Sequence, residues 1–421
     1  MTANHPLLTV IVPVLNGTGV LPRTLQALKA SDLPRSRWEL LVVDDGSSDG
    51  TDALAARWAD AVVRLPAPAH GPAYARNRGS EAARGDVLVF VDADVCVHPD
   101  TLSRIARAFD DDPLLGALFG SYDDRPPGEG LASKYRNLLH HYHHQRNPGP
   151  ADTFWAGCGA VRATAFHAVG RFDEWRYPRP SIEDIELGHR LFAQNYPIRL
   201  APEIQCTHLK RWGLYGMLRT DLFDRGVPWV RLLLADGSFG SRRSLNLRNR
   251  ERVYTGLMGL ALVCLAIGLI RMETRWLLGA LGCILPVIMG NLPLYRFLQR
   301  TAGMGAALRC VPLHLAWAGM PEESALRAAV NFWNDPGLAV RPAWTDLSSG
   351  QVSPYTASPG MQAVAEVSTA VGWQRSIANP LPCVAASGDY YSAALAMLAR
   401  LALRENPRNL MAEAAAPVRR G

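Results

Sequence analysis

Residues 7–17 read Leu7-Leu8-Thr9-Val10-Ile11-Val12-Pro13-Val14-Leu15-Asn16-Gly17, an uncharged run closed by a turn-forming Asn-Gly pair. Residues 7–14, apolar at odd and even positions alike, fit a strand buried on both faces, as in parallel sheets covered by helices. Helical spacing follows over residues 21–30, and the alternation then repeats. Residues 38–43 form a second buried strand and 51–58 a helix; residues 62–65, 73–83, 87–91 and 100–109 continue as strand, helix, strand, helix. Such β-α-β units imply an α/β, doubly wound sheet whose ligand site lies beyond the carboxyl ends of the strands.

Outward from that core the pattern loosens. Residues 121–149 turn polar and His-rich, 154–172 resume a strand and a helix, 181–194 form a helix, and 198–201 a short strand. Ser181 and Asp184 have the spacing of a capping box. Residues 220–234 alternate charge with Leu, Phe, Val and Trp, which suits an amphipathic helix in a membrane interface or an ordinary surface helix. Residues 253–270 and 276–294 are each long enough to cross a bilayer of ~30 Å. Residues 305–320, interrupted by Arg309 and His314, read as a third crossing or an interfacial hairpin. The expected organisation is an α/β domain over 1–235, a basic linker over 236–252, a transmembrane region of two or three helices over 253–320 and a tail over 321–421. In that tail only residues 390–403 read as a helix.

At 421 residues, 48% hydrophobic and 19% charged, the chain is neither disordered nor collagen-like. Its +6 formal charge gathers in Arg242, Arg243, Arg248, Arg250 and Arg252, against Glu251 alone, just before the first long apolar run. This favours anionic lipid headgroups as partners over nucleic acid, for which no motif is present, and by the positive-inside rule puts the α/β domain in the cytosol. The N-terminus has no basic stretch ahead of a signal-length apolar run, which fits the same side. Cysteines 96, 158, 206, 264, 283, 310 and 383 are odd in number and scattered, as in a reducing compartment.

The chemistry-bearing residues cluster at strand ends. Val87-Leu88-Val89-Phe90-Val91-Asp92-Ala93-Asp94 delivers two acids one residue apart, and strand alternation points both carboxylates the same way. Such a pair suits Mg²⁺ or Mn²⁺, which bind through one or two carboxylates plus substrate phosphates. Asp44-Asp45-Gly46-Ser47 ends the second strand, where a carboxylate can accept hydrogen bonds from a base or ribose; Ser47, Ser48 and Asp49 also suit a helix cap. Gly71-Pro72-Ala73-Tyr74-Ala75-Arg76-Asn77-Arg78-Gly79 places guanidinium groups on the next helix, suited to phosphate. Gly17-Thr18-Gly19-Val20-Leu21-Pro22 has proline where a dinucleotide fingerprint needs its third glycine. His140, His141, His143 and His144 have helical spacing but no flanking acids, and read as an exposed or interfacial helix facing the acceptor rather than as metal ligands.

Taken in order, Val12-Pro13-Val14-Leu15-Asn16, Val43 to Thr51, Ala75-Arg76-Asn77-Arg78-Gly79 and Asp92-Ala93-Asp94 strongly resemble the inverting nucleotide-sugar glycosyltransferases of family 2, membrane-bound bacterial type, over about residues 7–235. The resemblance implies the GT-A fold, a Rossmann-like, mixed, mainly parallel sheet with helices on both faces, here followed by an α-helical transmembrane region. It implies that Asp44 and Asp45 contact the nucleotide, with Pro13, Asn16 and Arg76 as further substrate-binding residues. Asp92 and Asp94 then reach ribose and a divalent metal ion, and Glu183-Asp184 supplies the catalytic base, Asp184 first and Glu183 second.

Thr207-His208-Leu209-Lys210-Arg211-Trp212 stands where processive members carry Q-x-x-R-W, with His208 in place of the Gln. This makes His208 a metal ligand beside Asp94, Arg211 a diphosphate clamp and Trp212 a wall of the acceptor groove. The implied reaction is inverting transfer of a sugar from a nucleotide-diphosphate donor to a lipid or lipid-linked hydroxyl, in a multi-pass protein of the inner membrane with a cytosolic catalytic domain. A processive polysaccharide synthase is the alternative, opposed by the departure at His208. A catalytically inactive GT-A scaffold is a further one, opposed by the six acids that remain.

Overall fold

The structure, a computed structural model, describes residues 7–235 and 249–318. Arg242, Arg243 and Arg248 of the basic linker and the whole tail, with its expected helix over 390–403, lie outside the described residues. The strands are β1 (Leu8–Val14), β2 (Trp38–Asp44), β3 (Ala61–Arg64), β4 (Val87–Val91), β5 (Val95–Val97), β6 (Ala117–Tyr122), β7 (Gly149–Ala151), β8 (Cys158–Arg162) and β9 (Ile198–His208). They form one sheet in the order β3-β2-β1-β4-β8-β6-β9-β5, with β7 paired to β9. β1 to β4 run parallel, and β6 and β9 share their direction. β8, β5 and β7 run against it. The expected mixed, mainly parallel GT-A sheet is therefore present.

Helices cover both faces: α1 (Leu21–Lys29), α2 (Thr51–Ala55), α3 (Pro72–Ala82), α4 (Thr101–Asp111), α5 (Leu131–Gln145), α6 (Ala163–Ala168) and α7 (Glu183–Ala193). Val10, Val12 and Val14 pack with Leu25 of α1 and Ile105 of α4 on one face. Ile11, Val43 and Phe90 pack with Ala73 of α3, Phe166 of α6 and Leu187 of α7 on the other. Burial on both faces is why β1 and β2 carry no polar alternation. Gly79 lets α3 lie close: a Cβ there would stand 2.5 Å from Ile11 Cγ2 and 2.9 Å from Val43 Cγ2.

Four readings change. β5, β6 and β7 had no counterpart in the sequence pattern, and the polar segment 121–149 contains the 15-residue helix α5. β9 runs on to His208, so the motif expected after a strand begins on one. The capping box is absent, because the Ser181 hydroxyl donates instead to the Asp224 carbonyl. The acids of Asp92-Ala93-Asp94 do not continue a strand: Val95 N–H bonds to the Asp92 carbonyl at 3.0 Å, closing a turn, and strand alternation does not govern them.

After β9 the chain forms α8 (Leu214–Arg219), a π-helical segment (Thr220–Gly226) and α9 (Val227–Ala235). α10 (Asn249–Arg271), α11 (Thr274–Gly290), α12 (Leu292–Ala302) and α13 (304–318) follow. Among the described residues one helix, Val253–Arg271, is by itself long and apolar enough to cross a membrane, and α11 and α12 pass that test only as a pair bent by 60°. The second expected crossing is therefore broken. The 17 residues of α11 rise ~26 Å, short of a ~30 Å core, before the chain turns at Asn291 into the Pro-started α12. Leu294, Tyr295 and Leu298 of α12 and Ala307 and Cys310 of α13 join Tyr135, Leu138 and Leu139 of α5 and Met217 of α8 in one apolar cluster. Buried contacts thus join the C-terminal helices to the α/β domain.

Candidate functional site

The carboxyl ends of β1 and β4 open onto a cleft of about 920 Å³, the size of a small-molecule site. Its first wall is made by loops held to one another. Asn16, at a left-handed φ of 51°, receives the Ser48 N–H on its Oδ1 at 2.9 Å, and its own N–H donates to Ser47 Oγ at 2.8 Å. Asn16 therefore staples the β1 loop to the β2 loop at the cleft edge, beside Pro13. Asp45 faces the cleft and accepts the N–H groups of His70 and Gly71 at 3.0 and 2.7 Å. Asp44 does not line the cleft. Its carboxylate is buried in the turn and accepts the Ser47 N–H at 3.3 Å.

Arg76 lines the cleft and is held there by two carboxylates. One Nη donates to Asp92 Oδ1 at 2.7 Å and the other to Glu183 Oε1 at 2.9 Å, at 4% exposure. Burial opposes the guanidinium charge, but Asp92, Glu183 and Asp184 outweigh it and raise its pKa. The group ties the end of β4 to the start of α7 with one N–H of each Nη, while its Nε has no partner. Asn77 bonds the Phe172 carbonyl and Glu174, and Arg78 also meets Glu174. The remaining polar positions of the motif thus brace the 172–174 loop.

The two acids at α7 divide. Glu183 is 5% exposed, holds Arg76 and also accepts the Ser181 N–H at 2.9 Å. Asp184 lines the cleft with backbone partners only, Ala156 N–H at 3.1 Å and Ile185 N–H at 2.8 Å. Burial first, then the neighbouring Glu183 charge, raises its pKa above the usual carboxylate range. Both acids line the cleft, and Asp184 is the one bonded to backbone alone.

Across the cleft, Asp94 Oδ2 lies 3.6 Å from His208 Nε2. Asn137 donates its Nδ2 to the Ser133 carbonyl at 3.1 Å, so its Oδ1, 2.7 Å from His208 Nδ1, accepts. That fixes the imidazole proton on Nδ1 and turns the Nε2 lone pair toward the Asp94 carboxylate. Two acceptors facing each other at this distance call for a cation between them, whether a proton on Nε2 or a metal ion. Burial opposes ionisation of Asp94, yet His208 and Lys210 hold its pKa below the usual value. Among the described residues no cluster of three or more His, Cys, Asp or Glu could hold a metal. The donor set is therefore Asp94 and His208, with Asp92 engaged by Arg76, and it fits a divalent ion that takes its remaining ligands from phosphates and water.

Trp212 lines the cleft, with Lys210 Nζ 4.2 Å over its ring, and Arg211 lines an adjoining pocket with Arg23, which meets the cleft at Val20, Asp94 and Lys210. The His-rich helix is not exposed as expected. His140 lines the cleft, packed on Tyr122 at 4.3 Å and Trp155 at 4.7 Å, and His144 is buried against Phe119 with Nδ1 bonded to the Gly120 carbonyl. Burial pushes the His144 ring down to about 4 and His140 lower than its ordinary value, so both are neutral near pH 7. Sequence reasoning passed over Lys210, Tyr122, Trp155, Asn137 and Arg225, all of which line the cleft. Lys210 stood inside a motif already singled out; Asn137 gave no local signal, because its partner is 71 residues away.

A mixed sheet with acids at its strand ends, an Asp–His pair poised for a cation and a separate proton-accepting carboxylate are the parts expected of a GT-A nucleotide-sugar transferase. Residues 9–170 match the sequence model described as Glycosyl transferase family 2, which supports a glycosyltransferase domain of that kind there. Glycosyltransferase AglE of Haloferax volcanii is 35% identical over 108 residues, 25% of this chain and 36% of that protein. Validoxylamine A glucosyltransferase of Streptomyces hygroscopicus subsp. jinggangensis is 27% identical over 302 residues, 59% of this chain and 69% of that protein. The chain thus spans about a third of the first relative and about two thirds of the second. Among solved structures, the mannosyltransferase PcManGT from Pyrobaculum calidifontis, in complex with GDP-Man and Mn²⁺, is 19% identical at a TM-score of 0.48, covering 77% of this chain and 87% of that one.

Proposed function

We propose that this chain transfers a sugar, with inversion, from a nucleoside-diphosphate donor to a hydroxyl of a lipid or lipid-linked acceptor at the cytosolic face of the inner membrane. The observation that carries the reading is the division of carboxylates around Arg76. Asp92 and Glu183 are bound to the guanidinium, while Asp184 faces the cleft with backbone partners only and a raised pKa. Inversion needs a base to take the acceptor proton as diphosphate leaves, and Asp184 fills that role.

Asp45 and the 70–71 backbone that it holds form the nucleotide wall. Asp94 and His208 would hold Mg²⁺ or Mn²⁺ together with diphosphate oxygens. Bound there, the ion neutralises charge developing on the leaving group. Asn137 keeps the His208 lone pair directed at that position. Trp229 of α9 and Trp317 of α13 line the acceptor side, next to helices apolar enough to enter a bilayer, which supports a lipid-borne acceptor.

Membranes containing the chain, incubated with a panel of radiolabelled nucleoside-diphosphate sugars and then extracted into organic solvent, test the reading. One donor should deliver label to the lipid phase, and a chelator should abolish the transfer. Label found only in water-soluble product or in long polymer would overturn the lipid acceptor.

A further inference from the structure

A donor diphosphate lying between Asp94 and Asp184 needs cations beyond Arg76, which is bound to Asp92 and Glu183, and Arg211, which lines the adjoining pocket. We infer that Arg225, presented by the π-helical segment Thr220–Gly226, binds the diphosphate of the donor. The inference rests on the proposed transferase reading and adds a residue that the family motifs do not contain.

Arg225 lines the cleft at 42% side-chain exposure. Its neighbour Asp221 is already paired with Arg136 at 2.8 Å, both largely buried, and stands 3.8 Å from Arg225 Nη1. Arg136 thus takes the aspartate, and the Arg225 guanidinium keeps its donors for a ligand. The π geometry supplies the aim: the Val227 N–H bonds to the Leu222 carbonyl five residues back. Relative to an α-helix this inserts one residue and rotates the following face by about 100°. The Ser181 hydroxyl donates to the Asp224 carbonyl, which fixes the segment beside the start of α7. Arg225 lines the same cleft as Asp184, Asp94 and His208. A planar guanidinium at that point matches two phosphate oxygens.

The phosphate bound could also be that of a phosphorylated acceptor, and the test separates the two. Full-length chain in detergent is titrated calorimetrically with nucleoside diphosphates (UDP, GDP, dTDP), the matching monophosphates and a polyprenyl monophosphate. Arg225→Gln should weaken the nucleoside diphosphate that the wild type binds by about tenfold or more, leave the monophosphate unchanged and spare the polyprenyl phosphate. Arg225→Lys, which keeps charge and helix, should bind the diphosphate more tightly than Arg225→Gln, even if the glutamine variant is less stable. Equal diphosphate affinity in the two variants, or a loss confined to the polyprenyl phosphate, overturns the inference. Wild-type chain that binds no nucleoside diphosphate would overturn the transferase reading and this inference with it.

Discussion

Single carboxylates in this chain take their chemistry from burial. Asp173 is 1% exposed, and burial first, then the Glu186 charge, pushes its pKa up to about 6. An unfolded Asp titrates near ~3.9. Between those values the fold holds a proton that the unfolded chain has lost, so stability falls as pH rises through the window, and the cost is complete above about 6. Asp173→Asn keeps an acceptor for the Arg176 N–H. It should therefore stabilise the protein by about 3 kcal/mol at pH 7.5 and by little at pH 4. Denaturation midpoints at the two pH values check this; equal gains at both would remove the titration from the account. At this scale the sequence was readable where residue type sets the role. Asp94 and His208 were assigned from their motifs and do meet. The pairing of Arg76 with Asp92 and Glu183 was hidden, because a sequence displays a charge and not the charges that meet it.

Elements were readable where both faces are buried. β1, β2 and β4 appear as continuous apolar runs, and their expected bounds differ from the observed ones by at most one residue. β6, Ala117 to Tyr122, sits in mixed text and gains its strand character from β8 and β9, which come later in the chain. α5 looked polar because His140 and His144 pack as neutral aromatic rings rather than as charges. Asp92-Ala93-Asp94 was found but given the wrong geometry, since a turn and not strand alternation sends Asp92 to Arg76 and Asp94 to His208. α7, which carries Asp184, lies against backbone: a Cβ on Gly188 would stand 2.2 Å from Phe154 N and 2.5 Å from Thr153 C. Gly188→Ala must push α7 outward, away from the Ala156 N–H that holds Asp184. A loss of about 1–3 kcal/mol in stability is expected, together with reduced transfer. Gly19→Ala, facing open space, should change stability by less than about 0.5 kcal/mol. Thermal midpoints of the two variants decide the matter, and equal midpoints would contradict the close-packing argument.

For the molecule as a whole, the apolar helices and the α/β domain share a buried cluster and one cleft. Tyr135 and Leu138 of α5 pack with Leu294 and Leu298 of α12, and Trp317 of α13 reaches the cleft that Asp184 lines. The apolar runs were visible in the sequence, but the 60° bend between α11 and α12 and the docking of α12 and α13 on α5 were not, because both depend on distant partners. The central claim is that this cleft performs inverting transfer with Asp184 as base. The direct measurement compares wild type with Asp184→Asn in the full-length chain, recording donor binding by calorimetry and transfer rate across pH. In the wild type the acidic limb of the rate should lie above that of an ordinary carboxylate, since the raised pKa of Asp184 means that the base is lost earlier as pH falls. The account predicts that Asp184→Asn binds donor as the wild type does and transfers at least ~10²-fold more slowly; near-normal transfer by that variant would contradict it.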